Sequence, residues 1–163
     1  MKQAQMPVMI HLLAIARYDQ MPEYPIQFMT RGVLTVQTHD TWTLTYQEVL
    51  PEEGEGEGLS AEVTLTVTPR HVTMNRSGEV NNTMVFAKGK RFEGFYATPY
   101  GAMDMAVNAR EVTSRREDGR GSVHLKYDLE FQGNYASSNE LHLEFFEGQT
   151  TTTEDEKNET AAE

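Results

Sequence analysis

Few residues of this chain could carry chemistry, and the two best placed have opposite charge. In the run from Trp42 to Glu48, apolar side chains recur at every second position, and Glu48 continues the series Trp42, Leu44, Tyr46. Arg76 likewise continues Val72 and Met74. Alternate side chains of a strand share a face, so both charged groups are expected on the apolar, interior side. A charge there must be paired, neutralised or wet, because leaving it bare costs several kcal/mol. The simplest arrangement is an interior Glu48–Arg76 ion pair. As a structural element it would fix strand register. As a functional one, together with Tyr46, it would be a polar anchor at the floor of a ligand cavity. Arg31 is ambiguous, since Met29 and Val33 flank it at period two while Phe28, Leu34 and Val36 take the other face.

A second group is Tyr96, Thr98, Pro99, Tyr100 and Gly101. Pro99 fixes its own φ and keeps Thr98 extended, and Gly101 can take positive φ, so the segment reads as a tight hairpin turn. Its functional reading is an aromatic rim at a barrel mouth, formed by Tyr96 and Tyr100. Catalytic signals are weak. The serines, Ser137 and Ser138 included, are read on outer faces or in loops, and no GxSxG, HExxH, Walker or GxGxxG pattern occurs. No catalytic residue is assigned. His124 and His142 alternate with core positions and face outward. His11, alongside Met9, Leu13 and Ile15, is the one histidine read as buried, in a hydrogen-bonded core role. No two histidines share the spacing of a metal site and cysteine is absent, so neither a metal nor a cofactor is expected.

The elements that must position these residues are strands. Period-two alternation recurs in Leu59–Val67, Val123–Phe131 and Leu141–Phe146, and turn residues fall every 8–14 positions. Ten strands are read, from Val8–Ala16, Ile26–Thr38, Thr41–Leu50, Leu59–Thr68, His71–Asn75 and Val80–Ala87 to Arg91–Ala97, Ala102–Thr113, Gly121–Phe131 and Glu140–Phe146. No segment keeps a helical period. The fold class is all-β: an antiparallel up-and-down barrel of about 8–10 strands, because closure hides the apolar face and removes the edges together. Met29, Met74, Met84, Met103 and Met105 are expected to line its interior, with Trp42, Tyr46, Tyr127, Phe131 and Phe145.

Composition narrows the rest. The 163 residues suit one domain, assigned to 1–148, followed by an acidic, Thr-rich tail at 149–163 expected to be disordered. The net charge of −11 is concentrated in Glu52–Glu57 and in that tail. Basic residues are scattered, which argues against nucleic acid as a partner. No apolar run reaches the roughly 18–20 residues of a membrane helix, so no membrane is expected. Val8–Ala16 is read as a retained strand rather than a cleaved leader, and the location as cytoplasmic.

The stretch Phe95-Tyr96-Ala97-Thr98-Pro99-Tyr100-Gly101 has a distinctive setting. Leu44-Thr45-Tyr46-Gln47-Glu48 and Met74-Asn75-Arg76-Ser77-Gly78 precede it, and Val123–Leu129 follows. Together these resemble the YwiB-like family of small bacterial β-barrel proteins, a domain of unknown function grouped with the calycins. The resemblance runs from about Val8 to Phe146 and implies a lipocalin-like barrel without an established activity.

Two functions from different classes remain. The first is non-enzymatic binding of a small, partly apolar ligand in the barrel interior, anchored by Glu48, Arg76 and Tyr46. The second is a protein–protein interaction module with a side-chain-filled barrel, its mildest form a homodimer. An enzyme using Glu48 as general acid or base is the least supported reading.

Overall fold

A computed structural model of the protein describes residues 4–50 and 58–148. The acidic loop and the tail singled out by composition therefore lie outside the described residues, except for Gly58. Ten strands run in order: β1 (Ala4–Arg17), β2 (Tyr24–Thr38), β3 (Thr41–Leu50), β4 (Leu59–Val67), β5 (Val72–Gly78), β6 (Asn81–Phe86), β7 (Arg91–Thr98), β8 (Gly101–Glu117), β9 (Arg120–Phe131) and β10 (Asn134–Glu147). Each pairs antiparallel with its sequence neighbours, and β1 pairs with β10 to close the barrel. The expected up-and-down topology is what forms, at the upper end of the expected strand number.

The closing seam is continuous from Val8↔Glu147 to Arg17↔Ser138. β1 is also bonded along its length to β2, so the first strand is a wall of the barrel. Several strands run longer than periodicity suggests. β8 extends through the polar residues Ser114–Glu117 because these still pair with Arg120–Val123. β10 starts at Asn134, six residues before the alternation becomes visible, since the turn Gln132-Gly133 takes positive φ (53° and 81°) and folds the chain straight back onto Phe131.

The interior divides into two halves. At the end nearest the β2–β3 and β8–β9 turns it is apolar, built from Val8, Ile10, Leu34, Leu44, Val123, Leu143 and Phe145. Trp42 and Phe145 pack there in a tilted arrangement with ring centroids 5.3 Å apart. Toward the opposite end the aromatic filling continues through Phe86–Tyr127 at 4.8 Å and Tyr96–Phe131 at 6.0 Å. There polar groups also turn inward: Glu48, Arg76, Asn82, Ser137 and Asn139.

Four orientations differ from expectation. Met29 is 56% exposed, because β2 buries Phe28, Leu34 and Val36 and turns Met29, Arg31 and Val33 outward. His11 lies on the outer face, hydrogen-bonded at 2.9 Å to Gln27. Both faces of β1 are apolar, and Val8, Ile10 and Leu12 take the core. Ser137 is buried rather than outward, since it is in phase with Asn139, Leu141 and Leu143 on the inner face of β10. Met103 pairs with the inward Tyr96 but stands near the strand's start, 38% exposed. Met74, Met84 and Met105 are in the core as expected.

Candidate functional site

The interior ion pair forms. Arg76 Nε donates to Glu48 Oε1 at 2.7 Å, and Arg76 Nη1 donates to Asn82 Oδ1 at 3.2 Å. The strand register explains the meeting. One row of paired residues runs Tyr46–Val63–Arg76–Asn82–Tyr96 across β3 to β7. The next row holds Glu48, Ala61 and Gly78. Ala61 is the smallest side chain that could stand between β3 and β5, and the carboxylate reaches the guanidinium over it. Asn82 in turn donates to Met105 Sδ at 3.6 Å, so its amide is fixed at both ends.

Burial lowers the affinity of Arg76 for its proton, but the Glu48 carboxylate, through its charge and its hydrogen bond, more than offsets this and leaves the guanidinium pKa raised. Arg76 is a permanent cation. The phenols of Tyr46, Tyr96 and Tyr127 face the same pair. All three are pushed up, first by burial; the Glu48 charge adds to the rise and the Arg76 charge opposes it. They are neutral O–H donors at ordinary pH.

None of these three hydroxyls has a hydrogen-bond partner among the described residues. The one sealed side-chain polar atom without a partner there is Arg116 Nε. The three phenol oxygens therefore border accessible space, although Tyr46 as a residue is only 3% exposed.

The wall itself opens between β6 and β7. β6 and β7 are bonded at only Asn81↔Ala97 and Asn82↔Tyr96. Beyond these two pairs the strands part, and a cleft of about 350 Å³ lies between them, lined by Arg76, Asn82, Thr83, Phe92, Gly94 and Phe95 among others. Gly94 helps to keep it open. A Cβ built there would meet the Phe92 ring at 3.0 Å and the Thr83 carbonyl oxygen at 3.4 Å. Phe95 is 65% exposed at the outer lip. Guanidinium and amide thus form the floor and aromatic rings the walls.

The expected site residues are distributed as follows. Glu48, Arg76 and Tyr46 come together. Tyr96 joins them from near the end of β7, half-buried, with its ring against Phe131, the last residue of β9. Tyr100 stands apart, exposed at the tip of the two-residue turn between Thr98 and Gly101, where its backbone N–H is held by Thr98 Oγ1 at 3.1 Å. Asn82, Tyr127 and Gly94 escaped the sequence-level selection of site residues. Asn82 had a usable signal, since it precedes Met84 and Phe86 at period two. Outside the barrel, His124 and His142 lie edge to face at 4.8 Å although they are far apart in sequence. No group of three potential metal ligands occurs among the described residues.

A larger hollow of about 570 Å³ lies near the β8–β9 turn, lined by Arg115, Arg120, Glu117 and Glu144 among others. Its charges are of both signs, and Arg116 is already bonded to the Asp118 and His39 carbonyls. No helix among the described residues is long and apolar enough to cross a membrane.

The model of a family described as "Domain of unknown function (DUF1934)" matches residues 10–143. Among solved structures, the ywiB protein from Bacillus subtilis is similar at a TM-score of 0.75 and 19% identity, over 89% of this chain and 94% of that one. At that identity the likeness is one of fold. No curated protein matches.

Proposed function

The chain belongs to the DUF1934 family, a domain of unknown function, and we propose that it is a binding protein holding a small, partly apolar ligand in the cleft between β6 and β7. The observation that carries this reading is the cleft of about 350 Å³ whose floor is Arg76. Its volume falls in the range of small-molecule sites, and its few polar groups among aromatic walls are the usual composition of one. The ligand enters through the wall, because aromatic rings packed tilted or edge to face fill the interior. An acid–base role for Glu48 gains no support, since the carboxylate is tied to Arg76.

Native mass spectrometry of gently purified protein, compared with the same sample denatured, tests the proposal. The expected result is a small added mass that persists natively, disappears on denaturation and is lost in Gly94→Leu, whose side chain would fill the cleft. An added mass retained in Gly94→Leu would place the ligand elsewhere. No added mass, together with no small molecule protecting the protein against heat, would overturn the proposal.

One observation favours a second reading, self-association through the outer face of β10, β1 and β2. Met9 pairs with Phe146 on one side and Arg31 on the other, and Met29 and Val33 stand beside them, 56% and 40% exposed. Sedimentation velocity across a hundredfold concentration range, with Phe146→Glu as the control, distinguishes a dimer from a monomer.

A further inference from the structure

We infer that the cleft selects an uncharged ligand whose polar end presents a hydrogen-bond acceptor and a donor side by side, as a primary amide or a lactam edge does, on a flat apolar body. This rests on the cleft being a binding site and goes further by naming the chemical class it takes.

Charge comes first. Arg76 and Glu48 neutralise each other at 2.7 Å, with side chains only 13% and 10% exposed. A charged ligand reaching the floor would bring a third charge with no counter-charge into a largely desolvated place, which is costly. An anion would also have to compete with Glu48 for Arg76, and a cation with Arg76 for Glu48. An uncharged group meets neither obstacle.

Hydrogen-bonding capacity comes second. A guanidinium has five N–H donors, and the described contacts of Arg76 to side chains use Nε and Nη1. Asn82, which lines the floor beside Arg76, accepts from it once through Oδ1 and keeps that oxygen's second lone pair as an acceptor. Donor and acceptor therefore stand together at the floor, and a carbonyl beside an N–H is the complement that uses both. Leaving such groups unpaired is what discriminates against a ligand of the same shape without them. Shape is third: the Phe92 and Phe95 rings at the walls favour a flat body.

Three probes of one shape and different charge test this: benzamide, benzoate and benzamidine, titrated into the uniformly 15N-labelled full chain. Benzamide is expected to shift the backbone amides of Asn82, Thr83 and Gly94 saturably, and the two charged probes to bind at least tenfold more weakly. Glu48→Gln leaves Arg76 without its counter-charge and is expected to turn the preference to benzoate; Arg76→Gln is expected to turn it to benzamidine. Should either variant fail to fold, the wild-type comparison decides alone. Charged probes shifting the same amides as strongly as benzamide would overturn the selectivity and leave the cleft reading standing. If none of the three probes moves those amides, both fall.

Discussion

The Glu48 carboxylate and the Arg76 guanidinium meet at 2.7 Å although strand β4 lies between their own strands. Adjacent strands are spaced about 4.8 Å apart, so β3 and β5 are separated by roughly twice that. The long arginine side chain spans the gap because its neighbour in the Glu48 row is Ala61. The pair thus holds β3 and β5 in one register across β4, which a one-residue slip of either would destroy by turning that strand's charge outward.

Removing one member of the pair is expected to be worse than removing both. Glu48→Ala or Arg76→Ala leaves a mostly buried charge alone, at a cost of about 3 kcal/mol, near the low end for buried pairs because each side chain keeps some exposure. Glu48→Leu combined with Arg76→Met should recover most of that loss. Urea unfolding of the four proteins measures it. A double variant no more stable than the worse single one would show that the pair does not couple.

The tyrosines around the pair predict behaviour in alkali. Burial raises the phenol pKa of Tyr46 first, and the Glu48 charge raises it further. A raised folded-state value means the fold favours the protonated phenol. This contribution is complete below the unfolded tyrosine value of about 10 and is lost as the pH rises through the higher folded value. Tyr46→Phe should therefore lose stability less steeply than wild type above pH ~10. At neutral pH it should cost under about 1 kcal/mol, because no described hydrogen bond is lost. Unfolding midpoints from pH 8 to 11.5 decide the matter, and parallel curves for the two proteins would contradict it.

Much of this arrangement was legible in the chain. Parity alone turned Glu48 and Arg76 inward, because β3 and β5 are regular and have one apolar face each. His11 was misread because β1 is apolar on both faces, and parity then separates the faces without saying which is inside. Ser137 and Asn139 keep the phase of Leu141 and Leu143, but they are polar, so the apolar signature of the inner face stops before it reaches them. The cleft was not legible at all. It exists because the β6–β7 ladder stops after Asn82↔Tyr96, and the alternation of side chains along either strand does not mark where its ladder ends.

An outer network predicts behaviour in acid. Glu130 accepts from Arg91 at 2.6 and 3.1 Å and from Asn108 at 2.8 Å, and these bonds, the Arg91 one foremost, hold its carboxyl below the ordinary carboxylate range. A depressed folded value contributes stability above the unfolded pKa of about 4.3, lost as the pH falls through the folded one. The difference in urea midpoint between wild type and Glu130→Gln should be largest at pH 7 and shrink toward pH 3. A constant difference over that range would mean that the glutamate acts through packing alone.

Phe145 and Phe146 allow the inside–outside assignment of the last strand to be tested at adjacent positions. Phe145 is 2% exposed and packs against Trp42 at 5.3 Å, whereas Phe146 is 42% exposed beside Met9. Truncating a buried phenylalanine costs about 3–5 kcal/mol through lost transfer energy and the cavity left behind. An exposed one on a sheet face costs under about 1 kcal/mol in the monomer. Phe145→Ala should accordingly unfold at far lower urea than Phe146→Ala, measured at a concentration where the chain is monomeric. If the two variants proved equally destabilised, β10 would have to present both rings to packed surroundings.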